Sequence, residues 1–286
     1  MTSKNLAVLG HPIDHSLSPV LHAAAYQVLG LDWAYGRQDL TEDQLDAYVS
    51  TRDDTWVGLS LTMPLKYRAT ELADVVDEAT AITGACNTLV FDHKTQLVQG
   101  FNTDVPALAS VIRESVAGVP EAVSIVGGGA TAVSAVVAAS RAGARSADIY
   151  VRDTTRASNA VVAGHACGIN AVVHDLSDFA ESSRNHVSIM TLPGSVDLDI
   201  AQAGAENRIL IDVAYSPWPT SRAQQWQASG GRIVGGLHML VRQAVRQVRV
   251  FVSGSPDVAL DREDEVRTAM AVAVGLGGLF DSQAGR

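Results

Sequence analysis

Ala122-Val123-Ser124-Ile125-Val126-Gly127-Gly128-Gly129-Ala130-Thr131-Ala132, continued by the small-residue run 133–142, is the stretch that decides the fold. Val123, Ile125 and Val126 suit a buried strand, and the alanine-rich run after the glycines suits a helix packed closely on a sheet. A strand that turns on glycine into a helix brings backbone N–H groups and the positive end of a helix dipole to one point, where a pyrophosphate is favoured. Gly127 is expected to make the tight turn, Gly129 to let the backbone approach the phosphates, and Ala132 to keep helix and strand close. Gly127, Gly128, Gly129 and Ala130 are the candidate dinucleotide contacts.

The next strand, 148–151, runs into Arg152-Asp153-Thr154-Thr155-Arg156. In an NAD site an acid near this position accepts from the ribose 2′-hydroxyl, whereas arginines accommodate the 2′-phosphate of NADP. Val151 is apolar and Arg152 and Arg156 flank the turn, so NADP(H) is the expected cofactor. Asp153 would either repel that phosphate or cap the helix that follows.

Further out, short apolar runs at 6–9, 56–59, 148–151, 187–190 and 209–213 alternate with amphipathic segments. That alternation predicts an α/β fold of parallel units. A helix from near Thr103, stopped by Gly118-Val119-Pro120, separates a first domain from the glycine-bearing strand, which begins at about Glu121. A last amphipathic helix, 236–253, carries Leu237, Leu240, Val241, Ala244, Val248 and Phe251 on one face. The expected division is residues 1–105 for a substrate domain, 106–236 for a Rossmann-type NADP domain, and 237–286 for helices that pack back on the first.

Composition narrows the function classes. The 286 residues suffice for two domains of ordinary size, and 47% hydrophobic against 18% charged residues describes a globular chain. With 21 Lys+Arg against 31 Asp+Glu the net charge is -10, which argues against binding a nucleic-acid backbone. The Ala/Val-rich stretch around 135–139 is far below the ~20 residues a bilayer span needs. The first ten residues lack the layout of a secretory leader, so no membrane association and a cytoplasmic location are expected. Cys86 and Cys167 have no ligand spacing, nor do His11, His15, His22 and His238, and no metal is assigned.

The substrate side is written in shorter motifs. Ser16-Leu17-Ser18-Pro19 lies where a first strand gives way to a helix, with Ser18 at the expected N-cap and Pro19 at the first helical position. Leu61-Thr62-Met63-Pro64-Leu65-Lys66, Gly84-Ala85-Cys86-Asn87-Thr88, Asn102-Thr103-Asp104, Asp212-Val213-Ala214-Tyr215 and Gly236-Leu237-His238-Met239-Leu240-Val241-Arg242-Gln243-Ala244 follow in order. Taken singly, Lys66 reads as a solvated lysine, Asp104 as a helix N-terminal acid and Asn87 as a turn residue.

In this order and spacing, the set resembles the shikimate dehydrogenase family along nearly the whole chain. The resemblance implies reversible reduction of 3-dehydroshikimate to shikimate with NADPH, a step of aromatic amino-acid biosynthesis. It makes Lys66 and Asp104 the catalytic pair, with Ser16, Ser18, Thr62, Asn87, Tyr215 and Gln243 as substrate contacts. Thr191, Gly236 and Met239 join Gly127 to Ala130, Arg152 and Arg156 on the cofactor side. The implied partner is the small-molecule substrate, and a homodimer is compatible with it. Hydride arriving at a carbonyl leaves an alkoxide, which a cationic lysine stabilises and protonates, so the residue types suit the chemistry.

Three positions depart from the family pattern. Ser60 replaces an asparagine before the threonine, Gly235 replaces an acid before the Gly-Leu-x-Met-Leu run, and Met190-Thr191-Leu192-Pro193 alters the loop that would meet the nicotinamide. Two other readings stand beside the first: an NAD-dependent quinate/shikimate dehydrogenase, and a nucleotide-binding sensor that has lost catalysis. A sensor needs neither Lys66 nor Asp104.

Overall fold

The computed structural model describes residues 4–182, 185–200 and 205–277. The chain forms two compact units, Met1–Thr103 with Val241–Arg286, and Asp104–Leu240. The first unit opens with β1 (Lys4–Gly10), α1 (Ser18–Leu29), β2 (Trp33–Asp39), α2 (Leu45–Ser50) and β3 (Trp56–Leu61). It continues with α3 (Lys66–Leu72), β4 (Val75–Val76), α4 (Glu78–Thr83), β5 (Thr88–Asp92) and β6 (Leu97–Phe101).

These strands form one sheet in the order β2-β1-β3-β5-β6-β4. Leu6, Ala7, Val8 and Leu9 are all buried, the continuous apolar run of a strand covered on both faces. β1 runs parallel to β2 and β3, but β5 is antiparallel to β3 and to β6, so this sheet is mixed where parallel units were expected. The reason is local. Asp92 Oδ1 accepts from Lys94 N at 2.9 Å, and Gln96 takes the left-handed conformation (φ 61°), closing a hairpin that needs no crossover helix.

The second unit holds α5 (Asp104–Ser115), β7 (Ala122–Val126), α6 (Ala130–Arg141), β8 (Ser146–Val151), α7 (Ser158–Ala166) and β9 (Asn170–Asp175). After them come α8 (Phe179–Ser182), β10 (Val187–Met190), β11 (Ile209–Asp212), α9 (Ser221–Ala228) and β12 (Arg232–Val234). All neighbouring strands are parallel, in the order β12-β11-β10-β7-β8-β9. That is the doubly wound dinucleotide-binding order, whose direction reverses between β7 and β10, so the ligand crevice of this unit lies beyond Val126 and Met190.

α10 (Leu237–Ser253) begins in the second unit and from Val241 belongs to the first, as does α11 (Glu263–Ala273). Of the expected apolar face, Val241, Ala244, Val248 and Phe251 are buried. α11 packs on α1, and Arg262 Nη1 donates to Val28 O at 2.9 Å. The expected divisions were 105/106 and 236/237. α5 packs against α6, which assigns it to the second unit from Asp104, and Gly236 N donates to Ala214 O, which ties the start of α10 to the same unit.

Candidate active site

In the first unit the lysine-bearing turn is held from both sides. Thr62 N donates to Leu9 O at 2.9 Å, His11 N to Met63 O at 3.0 Å, and Leu65 N closes the turn on Thr62 O at 2.8 Å. Lys66 starts α3 and is only 9% exposed, so it is not the solvated lysine its bare sequence context suggests. Cys86 N donates to Lys66 O at 2.9 Å, which sets the asparagine-bearing segment alongside. Burial pushes the Cys86 thiol up to about 12 and keeps it inert.

Two of the short motifs interlock there. Asn87 Oδ1 accepts from Thr103 N at 3.0 Å and from Thr88 Oγ1 at 2.8 Å, while Asn87 Nδ2 donates to Thr103 Oγ1 at 3.0 Å. Asn102 Nδ2 donates to Ala85 O at 2.8 Å and to Thr83 Oγ1 at 3.1 Å. Asp104, peptide-bonded to Thr103, heads α5 and is buried. An acid at that end of a helix meets the favourable end of its dipole.

The serine turn differs from its expectation. α1 starts at Ser18, with Leu17 before it and no side-chain cap, and Ser16 Oγ accepts from Ser18 N at 3.3 Å. Ser18 is therefore a buried first-turn residue rather than the cap, since its neighbour two residues earlier takes the orphan amide. On the neighbouring strand, Tyr35 OH donates to Ser60 Oγ at 2.6 Å. Ser60, the first of the three departures, thus serves a buried phenol that desolvation holds far above its ordinary pKa. Gln243, on α10, is also buried.

In the second unit the glycine turn has the shape a pyrophosphate requires. Gly127 has φ 121°, a backbone closed to other residues without strain. A methyl group built on Gly128 would lie 2.8 Å from Arg156 O, whereas one on Gly129 would meet nothing within 4 Å. The open face above Gly129, at the N-terminus of α6, fits the phosphates of a dinucleotide, and Ala132 is fully buried behind it. Arg152 and Arg156 are exposed at the end of β8. Asp153 caps their turn, accepting from Thr155 N at 3.0 Å and Thr155 Oγ1 at 2.7 Å, and the hydroxyl bond is the main reason its pKa is lowered.

Across the switch point Thr191 donates to Val126 O through its amide at 2.9 Å and its hydroxyl at 2.8 Å. The altered loop after it is gripped by Arg222, which is fully buried with Asp212. Arg222 Nε and Nη2 donate to the two Asp212 carboxylate oxygens at 2.9 and 3.0 Å. Its remaining N–H groups reach the carbonyls of Leu192, Pro193 and Val196. Asp212 also accepts from Ala214 N and Thr220 Oγ1, so one carboxylate anchors both the loop after Thr191 and the segment leading to half-buried Tyr215. Burial raises the Tyr215 phenol pKa. The Gly235 departure is explained by packing: a methyl there would lie 2.8 Å from Trp218 Cζ2. Gly236 and Met239 are buried nearby in sequence.

Arg222, Tyr35 and Gln247 escaped the sequence reading, and His22 entered it only as a histidine without metal-ligand spacing. An arginine in Ser221-Arg222-Ala223 has the pattern of a surface helix, and only Asp212 ten residues earlier hints at a partner. Among the described residues no helix is long and apolar enough to cross a membrane, and no cluster of three or more His, Cys, Asp or Glu could hold a metal.

Fold and residues together define a dinucleotide-binding α/β architecture joined to a mixed-sheet unit that carries a buried lysine. Residues 8–89 match the family model described as the shikimate dehydrogenase substrate binding domain. The shikimate dehydrogenase (NADP(+)) of Ignicoccus hospitalis is 30% identical over 254 residues, covering 87% of this chain and 94% of that protein. The crystal structure of Mycobacterium tuberculosis shikimate dehydrogenase superposes with a TM-score of 0.81 at 33% identity, covering 95% of this chain and 98% of the other. That of Thermus thermophilus shikimate 5-dehydrogenase, in complex with NADP(H) and shikimate, gives 0.76 at 26% identity, covering 94% and 99%. This chain belongs to the shikimate dehydrogenase family.

Proposed function

We propose that the protein catalyses the reversible, NADP-dependent reduction of 3-dehydroshikimate to shikimate, a step of aromatic amino-acid biosynthesis; relatives are named shikimate dehydrogenase (NADP(+)). The observation that carries this reading is Lys66, an amine almost wholly withdrawn from solvent beside the segment that holds Asn87. A lysine is seldom buried, because removing its charge from water costs several kcal/mol unless it is paired, so one held here marks a built site.

Gly127 to Ala130 would hold the pyrophosphate of NADPH and Arg152 and Arg156 its 2′-phosphate, and the bound cofactor would supply hydride for the carbonyl carbon. Lys66 stabilises the negative charge that develops on the oxygen and gives it a proton, leaving a secondary alcohol and a lysine that regains its proton from solvent. Asp104 orients the ammonium group. Ser16 and Ser18 hold the substrate carboxylate, and Thr62, Asn87, Tyr215 and Gln243 hold its hydroxyl groups. Thr191, Gly236 and Met239 would border the nicotinamide. A cytoplasmic location and a homodimer belong to the same proposal, and analytical ultracentrifugation tests the second.

Initial rates with shikimate and quinate, each with NADP and NAD, test the reading. Shikimate with NADP should be the efficient pair; efficient quinate turnover with NAD would overturn it in favour of a quinate/shikimate enzyme, and no turnover with any pair would favour a sensor.

A further inference from the structure

We infer that Gln247 is a positioning residue for substrate recognition, holding the Asn87 amide firmly in its orientation through the Thr88 hydroxyl. The inference rests on the reading of Asn87 as a substrate contact. Gln247 lies one helical turn beyond Gln243 on α10 and is 2% exposed. Its Nε2 lies 3.2 Å from Asn87 O and 3.1 Å from Thr88 Oγ1, and its Oε1 lies 3.3 Å from His22 Nε2.

These contacts admit one arrangement of protons. A peptide carbonyl can only accept, so the atom facing Asn87 O is the amide nitrogen of Gln247. Its oxygen on the other side then accepts from His22 Nε2–H. The unprotonated Nδ1 of His22 accepts from Tyr26 OH at 3.1 Å. His22 is fully buried, stacked on Tyr35 with ring centroids 3.9 Å apart, and burial lowers its pKa to about 3, so it is neutral as this arrangement requires. At the other end Thr88 Oγ1 accepts from Gln247 and turns its proton toward Asn87 Oδ1 at 2.8 Å.

The chain Tyr26, His22, Gln247, Thr88, Asn87 therefore has a single direction. Thr103 N donating to the same Asn87 Oδ1 agrees with it, leaving Nδ2 as the donor edge. An apolar side chain on this face of α10 would serve packing without the cost of burying an amide, whereas Gln247 makes donor and acceptor contacts on both sides. The physical role left for it is to turn the Thr88 proton onto Asn87 Oδ1, where it reinforces the orientation that Thr103 N also favours.

Steady-state kinetics on the full chain test the inference with Gln247→Met, which keeps length without a donor, Thr88→Val, which keeps volume without a hydroxyl, and Thr88→Ser, which restores it. Gln247→Met and Thr88→Val should each raise the KM for shikimate about 5- to 20-fold, the scale of one lost hydrogen bond to a polar ligand. They should change kcat less than about threefold and the KM for NADP less than about twofold. The double variant should be no worse than either single one, and Thr88→Ser should recover the wild-type KM. If Gln247→Met does not fold, the Thr88 pair decides alone. An unchanged shikimate KM in Thr88→Val, or equal rises for shikimate and NADP, would overturn the inference. Asn87→Ala separates the two levels: a raised KM there with none in Thr88→Val sinks only the role of Gln247, whereas no change in Asn87→Ala removes the underlying reading as well.

Discussion

Both units bury a polar network behind their candidate residues, and the two are built on different physics. In the second unit a full ion pair, Arg222 with Asp212, holds backbone carbonyls of the loop after Thr191. In the first, neutral groups from Tyr26 to Asn87 pass one donor direction from helix to strand. A buried charge pair has a large desolvation cost and becomes costly to break once formed. A neutral chain costs less to bury and encodes orientation, which suits a site that must tell one hydroxylated ring acid from another. The contrast suggests that the cofactor side needs a rigid loop, while the substrate side needs correctly aimed donors.

The largest expected effect is on the ion pair. Arg222→Ala leaves the Asp212 carboxylate buried without its main partner and should destabilise the protein by about 3–5 kcal/mol, read from urea unfolding. Gln247→Met should cost about 1–2 kcal/mol in the same assay. Equal losses would erase the distinction between the two networks.

Chemistry should divide the units differently from stability. Lys66→Ala is expected to lower kcat at least ~100-fold with a smaller change in the KM for shikimate, while the far-UV spectrum and the unfolding midpoint stay near wild type. A folded variant with wild-type turnover would remove Lys66 from the mechanism.

The neutral network should contribute its own slope to the acid response. His22 has its folded pKa lowered from 6.5 to about 3, so between those values the unfolded chain binds a proton that the folded chain refuses. The contribution of His22 to stability is therefore full above about pH 6.5, falls as the pH drops at up to ~1.4 kcal/mol per pH unit, and levels off near pH 3. His22→Gln should flatten that slope. If the slope is unchanged in the variant, other groups govern the acid response.

The smallest effect sharpens the cofactor side. Arg152→Glu should weaken NADP about tenfold more than NAD, a difference of ~1.4 kcal/mol between the cofactors. Equal weakening would mean that Arg152 does not read the 2′-phosphate.

Much of this was legible from residues close together in the chain. The run from Ala122 to Ala132 specifies strand, turn and helix, and the parallel second sheet follows from its neighbours. The first sheet was less legible: β5 and β6 join through a hairpin whose turn, Asp92 to Gln96, resembles any polar loop. Ser18 looked like a helix cap because serine before proline usually is one, yet Ser16 takes that amide. Gly235 was visible only as a departure, and its reason, the Trp218 ring, required the fold.

What the amino-acid sequence determined by itself was local: the glycine turn, the arginines after β8, the order of the short motifs and hence the family. Tertiary structure alone decided which polar groups lie away from water and which neighbours they meet. Lys66 changes from a surface charge to a buried amine, Arg222 from a helix-surface residue to the anchor of a loop, and Gln247 joins His22 across 225 residues of chain. Propensity and motif depend on neighbours a few residues away, whereas burial and hydrogen-bond direction depend on groups that only the packed chain brings together.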